Sequence, residues 1–356
     1  MQTRDNYIDV LRGIGIISIV IGHASWIITI GNLEIPIGPF VYLYHLAIFF
    51  FCSGYLYKNN GKDIWSFIAK KLKGLYKPFI IYSILYIILR NVFIKIGILA
   101  GEEYQKADFL IAITNSLTFN SVGELLGAFW FLPVLFFSLC IFTFIYRSTM
   151  YIHKRNMQLI IRIFICAAIG IVGLIVTEKH YGLLYNMQIV YLMLPIVALG
   201  HVYEKYMDKV NTIIGFPGLL FSIFLLEIIL KSDVGIINLS EFQIINKYLF
   251  YPVTIIGIYF CLCLGKILSY SNKIKKIIAY VGKNSLHIMA LHLLCIKIVD
   301  VFACCITGQK DKLSLYPHSF NNIWIIYYIV GVALPIMIWY SINKVFLALK
   351  RKKDER

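Results

Sequence analysis

Three ionisable side chains stand in an apolar run near the start of the chain: Asp9, Arg12 and, with ten residues between, His23. In a helix the eleven-residue step from Arg12 to His23 falls within about 20° of a whole number of turns, so both share one face, roughly 16 Å apart along the axis. Asp9, three residues before Arg12, is near enough to pair with it. An imidazole titrates near neutrality and suits proton transfer, whereas a guanidinium suits an anion. Gly13, Gly15 and Gly22 in the same run let a neighbouring helix or a ligand come close. A plainer reading also stands, in which Arg12 reaches the membrane interface and His23 bonds another helix.

The elements that must hold these residues follow from composition. The chain is 60% hydrophobic and 15% charged, with a mean hydropathy of +0.77, whereas soluble domains are about half apolar and about a quarter charged. So much apolar surface requires lipid. A net charge of +16 would point to nucleic acid in a soluble protein. Here the basic residues gather in short connections between apolar runs, which is orientation information, and no nucleic-acid partner is expected. The eight cysteines lie mostly inside apolar runs, without metal-type spacing, so neither a disulfide framework nor a metal is expected.

Each span needs roughly 20 apolar residues. Ten such runs occur, at about 8–30, 40–57, 78–99, 125–146, 159–177, 184–203, 212–230, 248–269, 277–304 and 322–347. Lipid leaves helices as the way to satisfy their backbones. Lysine and arginine divide 22 to 6 between alternate connections, which predicts both termini in the cytoplasm. The expected fold is therefore all-α: a polytopic integral membrane protein of about ten transmembrane helices, with residues 1–356 as one membrane-embedded domain and no appended soluble domain.

Further blocks recur along the chain. The second run reads Tyr44-His45-Leu46-Ala47-Ile48-Phe49-Phe50-Phe51-Cys52-Ser53-Gly54, and Lys70, Lys71, Lys73 and Lys77-Pro78 precede the third. The fourth run contains Trp130-Phe131-Leu132-Pro133, and the ninth opens Gly282-Lys283-Asn284-Ser285-Leu286-His287 before His292. With these blocks in this order, the chain resembles the acyltransferase-3 family of bacterial membrane acyltransferases, especially its fucose 4-O-acetylase-like and polysaccharide O-acetyltransferase branch. Arg12 and His23 match that family's arginine–ten residues–histidine signature; Pro133 departs from the usual fourth block.

The resemblance implies an enzyme in the bacterial cell membrane that moves an acetyl group from cytoplasmic acetyl-CoA to a hydroxyl of a surface or lipid-linked carbohydrate, with no permanently bound cofactor. His23, about 24 Å beyond Tyr7, and His45, about 9 Å in from the outer end of its run, should reach similar depth. They could serve as base and partner, with Arg12 nearer the donor. Lys70, Lys71 and Lys73 could meet the phosphates of coenzyme A, although basic residues at a cytoplasmic helix end need no such role. Ser53, Glu124, Trp130 and His292 are the residues offered for acceptor contacts. Arg90, Lys95, Arg162 and Lys297 lie near run ends, where long stems reach the interface. His318 falls in a connection and is assigned no role. Transfer of succinyl or another acyl group, or a polysaccharide-precursor transporter, are the competing readings.

Overall fold

The computed structural model describes residues 6–58, 63–119, 123–179, 182–232, 237–244 and 246–354; the chain ends, with Arg4, lie outside them. The described chain is a helical bundle. Its helices are α1 (Asn6–Ala24), α2 (Ile37–Tyr42), α3 (Ala47–Tyr55), α4 (Ile64–Lys71), α5 (Lys77–Lys95), α6 (Lys106–Leu117), α7 (Phe131–Ser148) and α8 (Arg155–Glu178). They continue with α9 (Met187–Val210), α10 (Phe216–Lys231), α11 (Lys247–Leu268), α12 (Asn272–Lys283), α13 (Ser285–Thr307) and α14 (Trp324–Asp354). Nine helical runs among the described residues are long and apolar enough to cross a membrane. The seventh expected span corresponds to α10, whose 16 residues rise about 24 Å, less than the roughly 30 Å of hydrocarbon.

Helix α1 lies inside the bundle and packs most closely on α12, then on α2, α13, α14, α11 and α3. Small residues make this possible: a Cβ on Gly282 would collide with the Asp9 carbonyl, and one on Gly13 with the Ile278 carbonyl. The expected ninth span at 277–304 is divided here. Helix α12 ends at Lys283, Asn284 leaves helical geometry with φ −98° and ψ 10°, and α13 starts at Ser285. The amphipathic α12 thus docks on the basic end of α1, while α13 does the spanning.

Two features depart from the expected pattern of spans and loops. Residues 28–35 form an antiparallel hairpin, β1 (Ile28–Ile30) on β2 (Leu33–Ile35), pairing Ile28 with Ile35, Thr29 with Glu34 and Ile30 with Leu33. Gly31 opens its two-residue turn at φ +61°, a position that favours glycine. The expected outer connection 101–124 instead holds α6, which runs back beside α5. Asn91 exchanges hydrogen bonds with Tyr104 before α6 starts (3.0 and 2.8 Å), and the Tyr76 hydroxyl donates to Leu117 O (2.8 Å) where α6 ends. Leu110, Ile111 and Leu117 of α6 are exposed, as suits a helix lying against lipid.

Three backbone irregularities fall within runs long and apolar enough to span. Residues 43–46 interrupt the α2–α3 run, a 3₁₀ stretch at Glu124–Trp130 precedes α7, and a π-helical turn at Leu72–Tyr76 joins α4 to α5. The π turn has a local cause: Pro78 lacks the N–H that would donate to residue 74, and the Lys77 N–H donates to Leu72 O, five residues back. Pro133 lies in the first turn of α7, where a missing N–H costs no bond. At membrane depth, irregular backbone is tolerated where protein covers it or where it lines a cavity. Residues from all three irregularities line two cavities.

Candidate active site

The first cavity, about 290 Å³, lies beyond His23, away from the basic connections. His23 from the last turn of α1 and His45 from the 43–46 break both line it. Within that break the Leu43 and Tyr44 N–H groups bond three residues back (3.3 and 3.2 Å), and the His45 N–H bonds four back to Val41 O (3.0 Å). The His45 ring packs on Tyr42 at 4.6 Å between centres, with Nδ1 2.9 Å from Val41 O. Tyr44 fixes this segment to α1, its hydroxyl 3.1 Å from Ser18 Oγ. Trp26, Tyr42, Trp130 and Tyr316 give the cavity aromatic walls, while Asn238, Ser240, Glu241 and His318 give it polar ones.

Tyr316 and His318 belong to the connection between α13 and α14, which a buried ion pair holds in place. Lys297 Nζ lies 3.1 Å from Asp300 Oδ2, donates to Leu313 O at 2.9 Å and also donates to Leu315 O. Asp300 in turn accepts from the Ser319 N–H (3.1 Å) and the Tyr327 hydroxyl. Lys297 therefore does not reach for the interface, as its place in the sequence had suggested, because its charge is met inside the bundle. Arg162 likewise turns inward: Nε donates to Thr149 Oγ1 at 2.6 Å and the guanidinium lies 3.7 Å from the centre of the Tyr146 ring. Burial pushes the His318 imidazole below its ordinary range, against the opposing pull of Asp300. Burial first, then Tyr42 and Glu124, pushes the Tyr316 phenol up to about 12. Both shifts favour the uncharged forms at neutral pH.

The second cavity, about 200 Å³, lies toward the basic end of α1 and is lined by Arg12, Ser53, Lys71, Ser285, Phe131 and Met289 among others. The Arg12 Nη2 donates to Ser285 Oγ at 3.2 Å and Nη1 lies 3.8 Å from Asp9 Oδ1. Lys283 Nζ approaches the other Asp9 oxygen at 3.9 Å. Lys71, just before the π turn, faces this cavity, with its Nζ 5.2 Å from the Phe67 ring centre. Two cations and the N-terminal turn of α13 therefore converge on one chamber, an arrangement that favours anions. Helix α13 runs from this chamber toward His23: Met289 lines the chamber, and the buried His292 ring, one turn on, lines neither cavity, contrary to its expected acceptor contact, and sits 5.3 Å from the His23 ring.

The sequence profile of an acyltransferase domain matches residues 5–344, nearly the whole chain. The chain belongs to the acyltransferase-3 family. It is a multi-pass membrane acyltransferase. No curated protein and no solved structure matches it.

In this acyltransferase the residues singled out from sequence separate by chamber. His23, His45 and Trp130 line the outer one, while Arg12, Lys71 and Ser53 line the inner one. Ser53 is thus on the Arg12 side, away from His23. Lys70 and Lys73 are exposed and line neither chamber. Glu124 lines a separate cavity of about 40 Å³ with Arg90 and Tyr104, because the 3₁₀ stretch turns it toward α5. Trp26, Tyr42, Tyr316, His318 and the 238–241 turn carried no signal in the sequence. They reach the first cavity through tertiary contacts.

Proposed function

We propose that this acyltransferase moves an acetyl group from cytoplasmic acetyl-CoA to a hydroxyl of a carbohydrate, surface-bound or lipid-linked, that enters from the opposite face. The observation that carries this reading is the pair of chambers at the two ends of one helix, cationic around Arg12 and aromatic around His23. The excess of basic residues in connections on the Arg12 side supports placing that side in the cytoplasm. Arg12 and Lys71 suit the phosphates of coenzyme A, and the slim thioester arm would run along α1 toward His23. Aromatic faces such as Trp26, Tyr42 and Trp130 suit the C–H faces of a sugar ring, and Asn238, Ser240, Glu241 and Tyr316 suit its hydroxyls.

In the direct form of the reaction, the acceptor oxygen attacks the thioester carbonyl, forming a C–O bond as the C–S bond breaks. His23 takes the hydroxyl proton and passes it to the departing thiolate sulfur. His45, which lines the same chamber, has Nδ1 at Val41 O and so keeps Nε2 as a lone pair. This favours a hydrogen bond from an acceptor hydroxyl.

The test compares surface glycans from strains with and without the gene by NMR. Loss of O-acetyl signals on deletion, restored by the wild-type gene, is the expected result. Loss of O-succinyl signals would replace the donor, and glycans unchanged in every O-acyl signal would overturn the carbohydrate acceptor.

A further inference from the structure

His292 is fully buried in α13. Its Nδ1 lies 3.1 Å from Ile288 O and 3.0 Å from Met289 O. Backbone carbonyls only accept, so Nδ1 carries the proton and Nε2 is left as a lone pair. That Nε2 is buried and has no hydrogen-bond partner, an arrangement that is destabilising where it persists. The nearest ring is that of His23, 5.3 Å away between centres and tilted by 48°. As the two rings stand their nitrogens are not bonded, but with the centres this close a rotation of the His23 ring about its Cβ–Cγ bond brings nitrogen to nitrogen at hydrogen-bond reach, about 3 Å.

We propose that His292 is a positioning residue for His23: its Nε2 accepts the N–H of His23 and so selects the tautomer whose other nitrogen turns its lone pair to the outer chamber. The proposal rests on the reading of His23 as the base. A neutral imidazole has two tautomers, and the one with its proton on the chamber side cannot take a proton from the acceptor. Backbone carbonyls fix His292, and His292 fixes His23, so orientation passes from the α13 backbone to the base. His292 itself exchanges no proton. The proton His23 gains from the acceptor hydroxyl leaves to the thiolate, while the N–H on the His292 side stays in place throughout.

The test uses the full chain in lipid nanodiscs, with acetyl-CoA and acyl-free surface glycan from gene-deleted cells as substrates. His292→Phe keeps a ring and removes the acceptor; His292→Gln restores a side-chain oxygen. His292→Phe should lower kcat roughly ten- to a hundred-fold, as loss of a partner that orients a functional histidine does elsewhere, with both KM values nearly unchanged. His292→Gln should regain most of the loss. Imidazole ¹⁵N NMR, with the His23 signal assigned from its absence in His23→Gln, should show one tautomer in the wild type and a mixture in His292→Phe. Wild-type kcat in His292→Phe, equal losses in Phe and Gln, or a tautomer mixture already in the wild type would each overturn the proposal. An active His23→Ala would instead overturn the base assignment. The NMR readout, which needs no turnover, would still decide whether His292 orients His23.

Discussion

Arg12 in α1 and Ser285 at the start of α13 are joined by a 3.2 Å hydrogen bond across 273 residues of chain. This bond fixes the guanidinium in the wall of the inner chamber, with Asp9 on its other side. Lysine would keep the charge but lose the planar fork. Arg12→Lys should therefore raise the KM for acetyl-CoA about ten-fold or more, since hydrogen bonds to charged groups contribute about 1.5–3 kcal/mol. An unchanged KM in a folded Arg12→Lys protein would show that charge alone suffices.

The three lysines before α5 should separate. Lys71→Gln should raise the acetyl-CoA KM, whereas Lys70→Gln and Lys73→Gln, at exposed positions outside the chamber, should leave it within about two-fold. Single-variant kinetics decide this. Equal effects from all three would point to a diffuse positive surface instead.

The Lys297–Asp300 pair is buried and shared with the 313–319 backbone. Removing one member of a buried pair typically costs about 3–5 kcal/mol, so Asp300→Ala should lower the melting temperature in detergent. The milder Asp300→Asn should fold and show a raised acceptor KM through a loosened Tyr316–His318 wall. A rise in the acetyl-CoA KM with an unchanged acceptor KM would argue against that wall's role.

Topology can be read with membrane-impermeant maleimide in intact cells on single-cysteine variants of a cysteine-free protein. Glu103→Cys, before α6, should label from outside. Asp63→Cys should label only after permeabilisation. Thr118→Cys, at the end of the helix that returns beside α5, should label in neither case. External labelling at Asp63 would reverse the orientation, and at Thr118 it would place α6 outside the membrane.

Much of the bundle was legible in the sequence because lipid imposes simple requirements: apolar length gave the spans, and helical spacing put Arg12 and His23 on one face. The separation of Arg12 from His23 and His45 follows from depth along helices, which residue counting tracks. What escaped was decided by tertiary contact. Helix α6 is only 12 residues and mixed in polarity, so it read as a connection. The hairpin at 28–35 is shorter than any usable alternation. Lys297 resembled an interfacial lysine, although Asp300 three residues on offered a partner. His292 meets His23 by packing between α1 and α13, a relation no local pattern encodes.

In the proposed reaction His23 is the base for acyl transfer. The most direct measurement is the rate at which His23→Ala protein, purified and reconstituted in nanodiscs, transfers acetyl from acetyl-CoA to acyl-free surface glycan. Losing a positioned base typically costs about 10²–10⁴-fold. The rate should fall by that much while the melting temperature and the acetyl-CoA KM remain near wild type, since His23 lies outside the inner chamber. A folded His23→Ala protein that acetylates glycan at close to the wild-type rate would contradict the account.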